Sequence, residues 1–268
     1  VCWPRRAWCV EYAVLKPPVL LIHGMWSTPA TFDRLRPVLE AAGHRTHAPC
    51  ILFHDRPVSL PPAPALGPLS ITAYVDHVVA EAGKLGAPPV ILGHSMGSLL
   101  AQMVAQRIPH AGLVLLSPAA AANSQSPSLD PFKTLKNVIL KWGWWEQPTL
   151  CDEAGARWGI FNDVPEDVTR REIDALVWDS GRVLAEMALP PLFGNVTRVD
   201  YARLNQPALV VVGLNDRITP PGIARATARN LTGRVDYQEL PGVPHWLFWG
   251  ETEERVATMV VDWLKTLG

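Results

Sequence analysis

A serine enclosed by small residues, Gly93-His94-Ser95-Met96-Gly97, follows the apolar run Pro89-Val90-Ile91-Leu92 and precedes a helix-forming run over residues 98–105. This order predicts a strand, a tight turn and a helix, with the serine at the turn. Glycines at 93 and 97 suit a turn that brings strand and helix backbones together. Such a turn holds the hydroxyl clear of the sheet and near free N–H groups at the helix start. A serine hydroxyl is a weak nucleophile and needs a base. His245, within Pro241-Gly242-Val243-Pro244-His245-Trp246, has the chemistry to accept its proton. Asp216, within Gly213-Leu214-Asn215-Asp216-Arg217, has the chemistry to hold the imidazole in one tautomer and stabilise the imidazolium. The tetrahedral intermediate also needs N–H donors. The expected donors are the backbone of Met96, next after the nucleophile, and of Met25 in His23-Gly24-Met25-Trp26. His23 is expected to brace that loop rather than to move protons.

These residues need a scaffold that gathers them at one edge. Val19-Leu20-Leu21-Ile22-His23, Leu113-Val114-Leu115-Leu116 and Ala208-Leu209-Val210-Val211-Val212-Gly213 are continuous apolar runs, as expected of buried parallel strands. Residues 235–240 read as a less buried strand. Helices are predicted over 32–42, over about 70–85, over 95–107 and over 255–267, the second capped by Ser70 or Thr72. Alternating strands and helices indicate an α/β fold, with a mostly parallel, doubly wound sheet and helices on both faces. Ser95, Asp216 and His245 then all lie near the carboxyl ends of strands, where such sheets place their sites.

The strand pattern stops between about 119 and 195, too long a break for a plain loop. The expected organisation is a core domain of residues 1–118 and 196–268, with residues 119–195 inserted as a helical cap. Leu135, Val138, Ile139 and Trp142 fit one helix, and residues 174–187 suggest another, weakened by Gly181. Five of the eleven tryptophans fall in this segment. Most are expected to pack the cap onto the body. Trp142, Trp145 and Trp178, with Trp26 and Trp246, are the candidates to line a substrate pocket.

The 268 residues are 48% hydrophobic and 18% charged, and the formal net charge is −1. That balance gives no electrostatic case for a nucleic-acid partner or an anionic membrane surface. The four cysteines form no C-x-x-C pair, which disfavours a zinc cluster. A disulfide between Cys2 and Cys9 stays open. His44, His47, His54 and Asp55 lack metal-ligand spacing, and no dinucleotide or phosphate-loop motif occurs. No transmembrane run or signal peptide is visible; localisation stays open between a cytoplasmic chain and one with a trimmed leader, since the sequence begins at Val1.

Taken together, His23-Gly24, Gly93-His94-Ser95-Met96-Gly97, the Asp216 loop and Pro244-His245 resemble the oxyanion loop, elbow, acid loop and histidine loop of the α/β-hydrolase superfamily, over roughly residues 17–267. The resemblance implies an eight-stranded, mostly parallel sheet and no metal or organic cofactor. It also implies hydrolysis of a carboxylic ester, thioester, amide or lactone. Residues 19–48 look like the methyl-esterase and hydroxynitrile-lyase branch, although Ser98 stands where that branch commonly has glycine. The elbow also looks like that of cofactor-free haloperoxidases and small carboxylesterases. Ser95 in place of aspartate argues against haloalkane dehalogenases and epoxide hydrolases. The expected function is serine-dependent hydrolysis of a neutral, fairly apolar carboxylic ester through an acyl-enzyme. A lactonase, a thioesterase, a lyase-type tailoring enzyme, a lipase and a non-catalytic binding protein of the same fold are the alternatives. Residues 1–16 are expected to supply one or two antiparallel edge strands, the first abbreviated or missing.

Overall fold

The computed structural model describes residues 16–267. In chain order, β1 (Val19–Ile22), α1 (Leu35–Ala41), β2 (Thr46–His47), α2 (Ile71–Ala82), β3 (Val90–His94), α3 (Met96–Ala105) and β4 (Gly112–Leu116) form the first half. After α4 (Asp130–Ile139), β5 (Pro148–Thr149), α5 (Glu153–Gly159), α6 (Glu166–Asp174), β6 (Asp179–Ser180) and α7 (Gly181–Ala188), the chain returns to the sheet. It closes with β7 (Ala208–Gly213), α8 (Pro221–Asn230), β8 (Val235–Leu240) and α9 (Gly250–Leu264).

The main sheet has six strands in the order β2-β1-β3-β4-β7-β8, and every pairing is parallel. The one or two edge strands expected from residues 1–16, and with them the eight-strand count, and the Cys2–Cys9 pair lie outside the described residues, apart from Lys16. Side chains alternate across the sheet with the two-residue period of a strand. Val19, Leu21, Val90, Leu92, Val114 and Leu116 enter one buried cluster with the apolar faces of α1 and α9. Leu20, Ile22, Ile91, Leu113 and Leu115 enter the other with α2 and α3. Covering both faces explains why β1, β3, β4 and β7 are buried along their whole length.

The chain leaves β1 toward β2 on one side, then continues through β3 and β4 on the other. This reversal opens a crevice at the carboxyl ends of β1 and β3, where ligands bind in sheets of this kind. The β1 end delivers residues 23–26, and the β3 end delivers Ser95.

Between β4 and β7, α4 through α7 and the antiparallel β5–β6 pair pack over that crevice. Leu135, Val138, Trp144 and Leu184 join the same buried cluster as the β1 and β3 side chains. Two sequence expectations are corrected here. The helix expected over 174–187 starts only at Gly181 as α7, because α6 ends at Asp174 and a loop and β6 fill residues 175–180. A Cβ on Gly181 would lie 1.8 Å from the Trp144 carbonyl, so glycine marks a backbone crossing rather than a weak helix interior. Ser180 Oγ accepts the Val183 N–H at 3.1 Å and caps α7. The helix carrying Leu135 ends at Ile139, so Trp142 falls beyond it and is 92% exposed. Glu186 of α7 accepts the Ile71 N–H at 2.8 Å, placing a carboxylate at the start of α2 and tying the two segments together.

Candidate active site

Ser95 holds φ 56° and ψ −123°, a left-handed conformation for a side chain that disfavours it. Such a conformation costs about 1–3 kcal/mol and persists only when its surroundings fix it. They do so here. The Ser95 N–H donates to Leu116 O at 2.9 Å, and its carbonyl accepts from Ser98 N at 2.9 Å and Ala119 N at 3.1 Å. A Cβ on Gly93 would lie 2.1 Å from Gly97 O, and one on Gly97 would lie 1.9 Å from Ile22 O. The Ser98 hydroxyl lies 2.6 Å from Gly93 O and 3.0 Å from Leu116 O, so it knits the turn to β3 and β4.

Asp216 follows β7 and His245 follows β8, so both reach the same edge as Ser95. His245 Nδ1 donates to Asp216 Oδ2 at 2.8 Å, with the two side chains 4% and 0% exposed. The other carboxylate oxygen accepts the N–H groups of Ile218 at 3.1 Å and Thr219 at 2.8 Å. The aspartate therefore closes its own turn and orients the histidine at once. Thr219 Oγ1 stands 2.8 Å from Asp216 Oδ2, 3.0 Å from His245 Nδ1 and 3.1 Å from Ser117 O. His94 packs beside the His245 ring with centroids 4.9 Å apart and donates from Nε2 to the His245 carbonyl at 3.1 Å. Burial first, and the neighbouring His245 second, hold His94 well below the usual imidazole range, so it stays neutral.

The loop after β1 is held from two sides. His23 Nε2 accepts the Ile51 N–H at 3.1 Å, which leaves the proton on Nδ1 to donate to Gly24 O at 3.0 Å. Burial, followed by the nearby His54, pushes its pKa down to about 3. A fully buried, neutral, doubly bonded ring is a brace. On the far side, Asp179 of β6 accepts the Trp26 N–H at 3.1 Å. Met96 begins α3, where the first N–H groups have no partner within the helix.

Two cavities meet at Ser95. The smaller, about 370 Å³, is lined by Ser95, His245, Trp246 and Phe161, and its far wall carries Arg34, Arg171, Glu172 and Glu253. The larger, about 670 Å³, runs beneath α4 and α7 past Leu135, Ile139, Trp144, Leu184 and Met187. Met25, Trp26, Ser95 and Ile218 line both. Of the five tryptophans expected at a pocket, Trp26 and Trp246 line these cavities. Trp142, Trp145 and Trp178 line neither, and Trp142 and Trp145 instead pack edge to face with each other. Among the described residues, no cluster of three or more His, Cys, Asp or Glu side chains is grouped to hold a metal. The His47 ring is taken up by Glu81 at 2.9 Å and His44 Nδ1 by Pro17 O at 2.9 Å.

A family model described as "Alpha/beta hydrolase family" matches residues 19–259. The chain belongs to that family. A pyrethroid hydrolase of Sphingobium wenxiniae is 23% identical to this α/β hydrolase over 262 residues, covering 91% of this chain and 86% of that protein. The biotin biosynthesis bifunctional protein BioHC of Cellvibrio japonicus is 26% identical over 257 residues, covering 94% of this chain and 48% of that longer protein. Among solved structures, the Paleococcus ferrophilus monoacylglycerol lipase superposes with a TM-score of 0.69 at 22% identity, covering 95% of this chain and 97% of that one.

Three residues at this hydrolase's site escaped the sequence reading. Thr219 stands three positions after Asp216, a spacing that signals a turn hydroxyl but not its reach to His245. Trp144 reads as one tryptophan among several, and only the packing of α7 against residues 144–146 sets it in the lining of the large cavity. Asp179 is 153 positions from Trp26, with no local pattern joining them.

Proposed function

We propose that this α/β hydrolase is a serine-dependent hydrolase of neutral, fairly apolar carboxylic esters. The observation that carries the reading is the position of Ser95, on a strained elbow where two cavities meet, one of them also lined by His245 of a buried His245–Asp216 pair. Ser95 Oγ attacks the acyl carbonyl while His245 Nε2 takes its proton. Asp216 stabilises the imidazolium, and Thr219 holds both partners. The oxyanion is received by the N–H groups of Met25 and Met96. His245 then protonates the leaving alcohol, and the ester C–O bond breaks to give the acyl-enzyme. Water, activated by His245, attacks the acyl carbonyl and releases the acid and Ser95.

The larger, more apolar cavity suits the acyl chain, and the smaller cavity, whose lining includes Arg34, Arg171, Glu172 and Glu253, suits the alcohol. In this reading residues 119–195 act as a cap that roofs the acyl cavity. The pyrethroid hydrolase and monoacylglycerol lipase named among the relatives point to ester substrates with bulky apolar parts.

The test is hydrolysis of p-nitrophenyl esters from acetate to palmitate by wild type and Ser95→Ala. Wild-type turnover with a fall in kcat of about 10⁴-fold or more in Ser95→Ala is expected. Turnover that survives in Ser95→Ala overturns the mechanism. Silence of the wild type across the series moves the reading to thioesters, lactones or lyase chemistry.

A further inference from the structure

The loop that carries Met25 is fastened by a buried charge that the acyl-transfer steps do not use. Asp179 is 0% exposed. Its Oδ2 accepts the Trp26 N–H at 3.1 Å and lies 3.3 Å from His54 Nε2. Its Oδ1 accepts the Tyr74 hydroxyl at 2.7 Å and the Ser180 N–H at 2.6 Å. Trp26 sits at φ 58°, the left-handed region. Its carbonyl accepts the Val177 N–H at 2.9 Å, and its indole donates to Thr149 Oγ1 at 3.4 Å. His54 Nδ1 donates to Ser27 O at 2.9 Å, which holds the next peptide as well.

A carboxylate with no exposure is an expensive way to join two segments, and apolar side chains of similar volume often stabilise more. What the carboxylate supplies is direction. The amide it holds is the Met25–Trp26 peptide, immediately after the N–H assigned to the oxyanion. We infer that Asp179 is a positioning residue for acyl transfer: it locks the Met25–Trp26 peptide so that the Met25 N–H faces the oxyanion forming at Ser95. The inference rests on the ester-hydrolase reading above. It makes the segment between β4 and β7 part of the catalytic geometry as well as a roof.

His54 fits the same assignment. Burial works to lower its pKa, but the Asp179 carboxylate beside it outweighs that and raises it. Burial works to raise the Asp179 pKa, and His54, Tyr74 and Trp26 together bring it below the usual range. Each partner thus favours the charged form of the other, which suits a carboxylate that accepts the Trp26 N–H.

The experiment compares wild type, Asp179→Asn, Tyr74→Phe and Ser95→Ala as the full chain. Read out are kcat and KM on a short p-nitrophenyl ester, the Ki of an aryl trifluoromethyl ketone, and Tm. The ketone adds to a nucleophilic serine and presents an oxyanion, so its affinity reports the N–H donors directly. Asparagine keeps the shape of the side chain but cannot accept on both sides. Asp179→Asn is expected to lower kcat and ketone affinity together by about 10²-fold, with KM within about twofold, as expected for a contact made only in the transition state. Tyr74→Phe keeps the Trp26 bond and is expected to lose less than about fivefold. Wild-type kcat and ketone affinity in Asp179→Asn overturn the inference alone, as does a parallel loss in both variants that tracks Tm. If Asp179→Asn does not fold, His54→Gln carries the test with the same readouts. A fall of about tenfold in kcat and ketone affinity supports the inference, and no change overturns it. A wild type that neither hydrolyses esters nor binds the ketone overturns the ester-hydrolase reading, and this inference with it.

Discussion

Thr219 shows how much one hydroxyl contributes at the residue scale. It touches the acid, the base and the Ser117 carbonyl, all within 3.1 Å, while its own N–H closes the aspartate turn. Removing it leaves Asp216 Oδ2 with one donor fewer and the imidazole freer to tilt. A buried hydrogen bond of this kind is worth about 1–1.5 kcal/mol. Thr219→Val is therefore expected to lower kcat about tenfold with KM nearly unchanged, measured by steady-state kinetics on the best p-nitrophenyl ester. A KM effect of equal size would instead make Thr219 a substrate contact. Ser98 has a different task, because its hydroxyl bonds to two strand carbonyls and points away from both cavities' shared lining.

At the element scale, the elbow is a junction of β3, α3 and β1 with no spare room. A methyl group at Gly97 would sit 1.9 Å from the Ile22 carbonyl, and backbone cannot yield as a flexible side chain can. Gly97→Ala is expected to destabilise the fold by about 3 kcal/mol or more and to move Ser95 off the junction. Chemical denaturation measures the first effect, and loss of activity in the folded fraction measures the second. Gly83→Ala is the control, since a Cβ there meets nothing within 4 Å. The segment between β4 and β7 is bound to the body by comparable local logic: Glu186 at the start of α2, and Ser180 Oγ donating to Gly67 O and Leu69 O at 2.8 and 2.7 Å.

Over the whole molecule, the large cavity is shaped by two helices from one segment against the sheet edge. In the proposed function its size limits the acyl length. Met187, partly buried on α7, points into it. Met187→Trp is expected to shift the chain-length optimum of kcat/KM toward shorter esters, with acetate hydrolysis retained; an unchanged optimum would place the acyl chain elsewhere. The buried histidines make stability depend on pH. His23, with its pKa pushed down to about 3, binds a proton in the unfolded chain before it does in the folded one. Its contribution is present above about pH 6.5 and is lost as the pH falls toward 3, at about 1.4 kcal/mol per pH unit. His94 acts in the same direction. His54 acts in the opposite one: its raised pKa adds stability below about pH 6.5, lost as the pH rises through the folded value. Urea unfolding at pH 7.0, 6.0 and 5.0 checks the acid arm as about 1 kcal/mol or more lost per unit. A flat response would mean that the rise contributed by His54 offsets the loss from His23 and His94, and a steeper acid loss in His54→Gln would show it.

The sequence by itself determined the elements whose signals are local. The runs at 19–23, 89–92, 113–116 and 208–213 are apolar on both faces but for His23, so they had to be interior parallel strands, and Gly93-x-Ser95-x-Gly97 between one of them and a helix fixed the elbow. Asp216 and His245 were legible for the same reason, since each lies just past a strand end. What lay beyond local pattern was decided by the tertiary structure. Tryptophan count could not say which rings face the cavity, because Trp144 and Trp142 differ only in where α4 stops and how α7 crosses at Gly181. Nor could spacing join Asp179 to Trp26, because that contact exists only once β6 is laid against the loop after β1. Packing then sets His54 beside Asp179, and each shifts the other toward its charged form against the opposing effect of burial, which neither residue's sequence context shows.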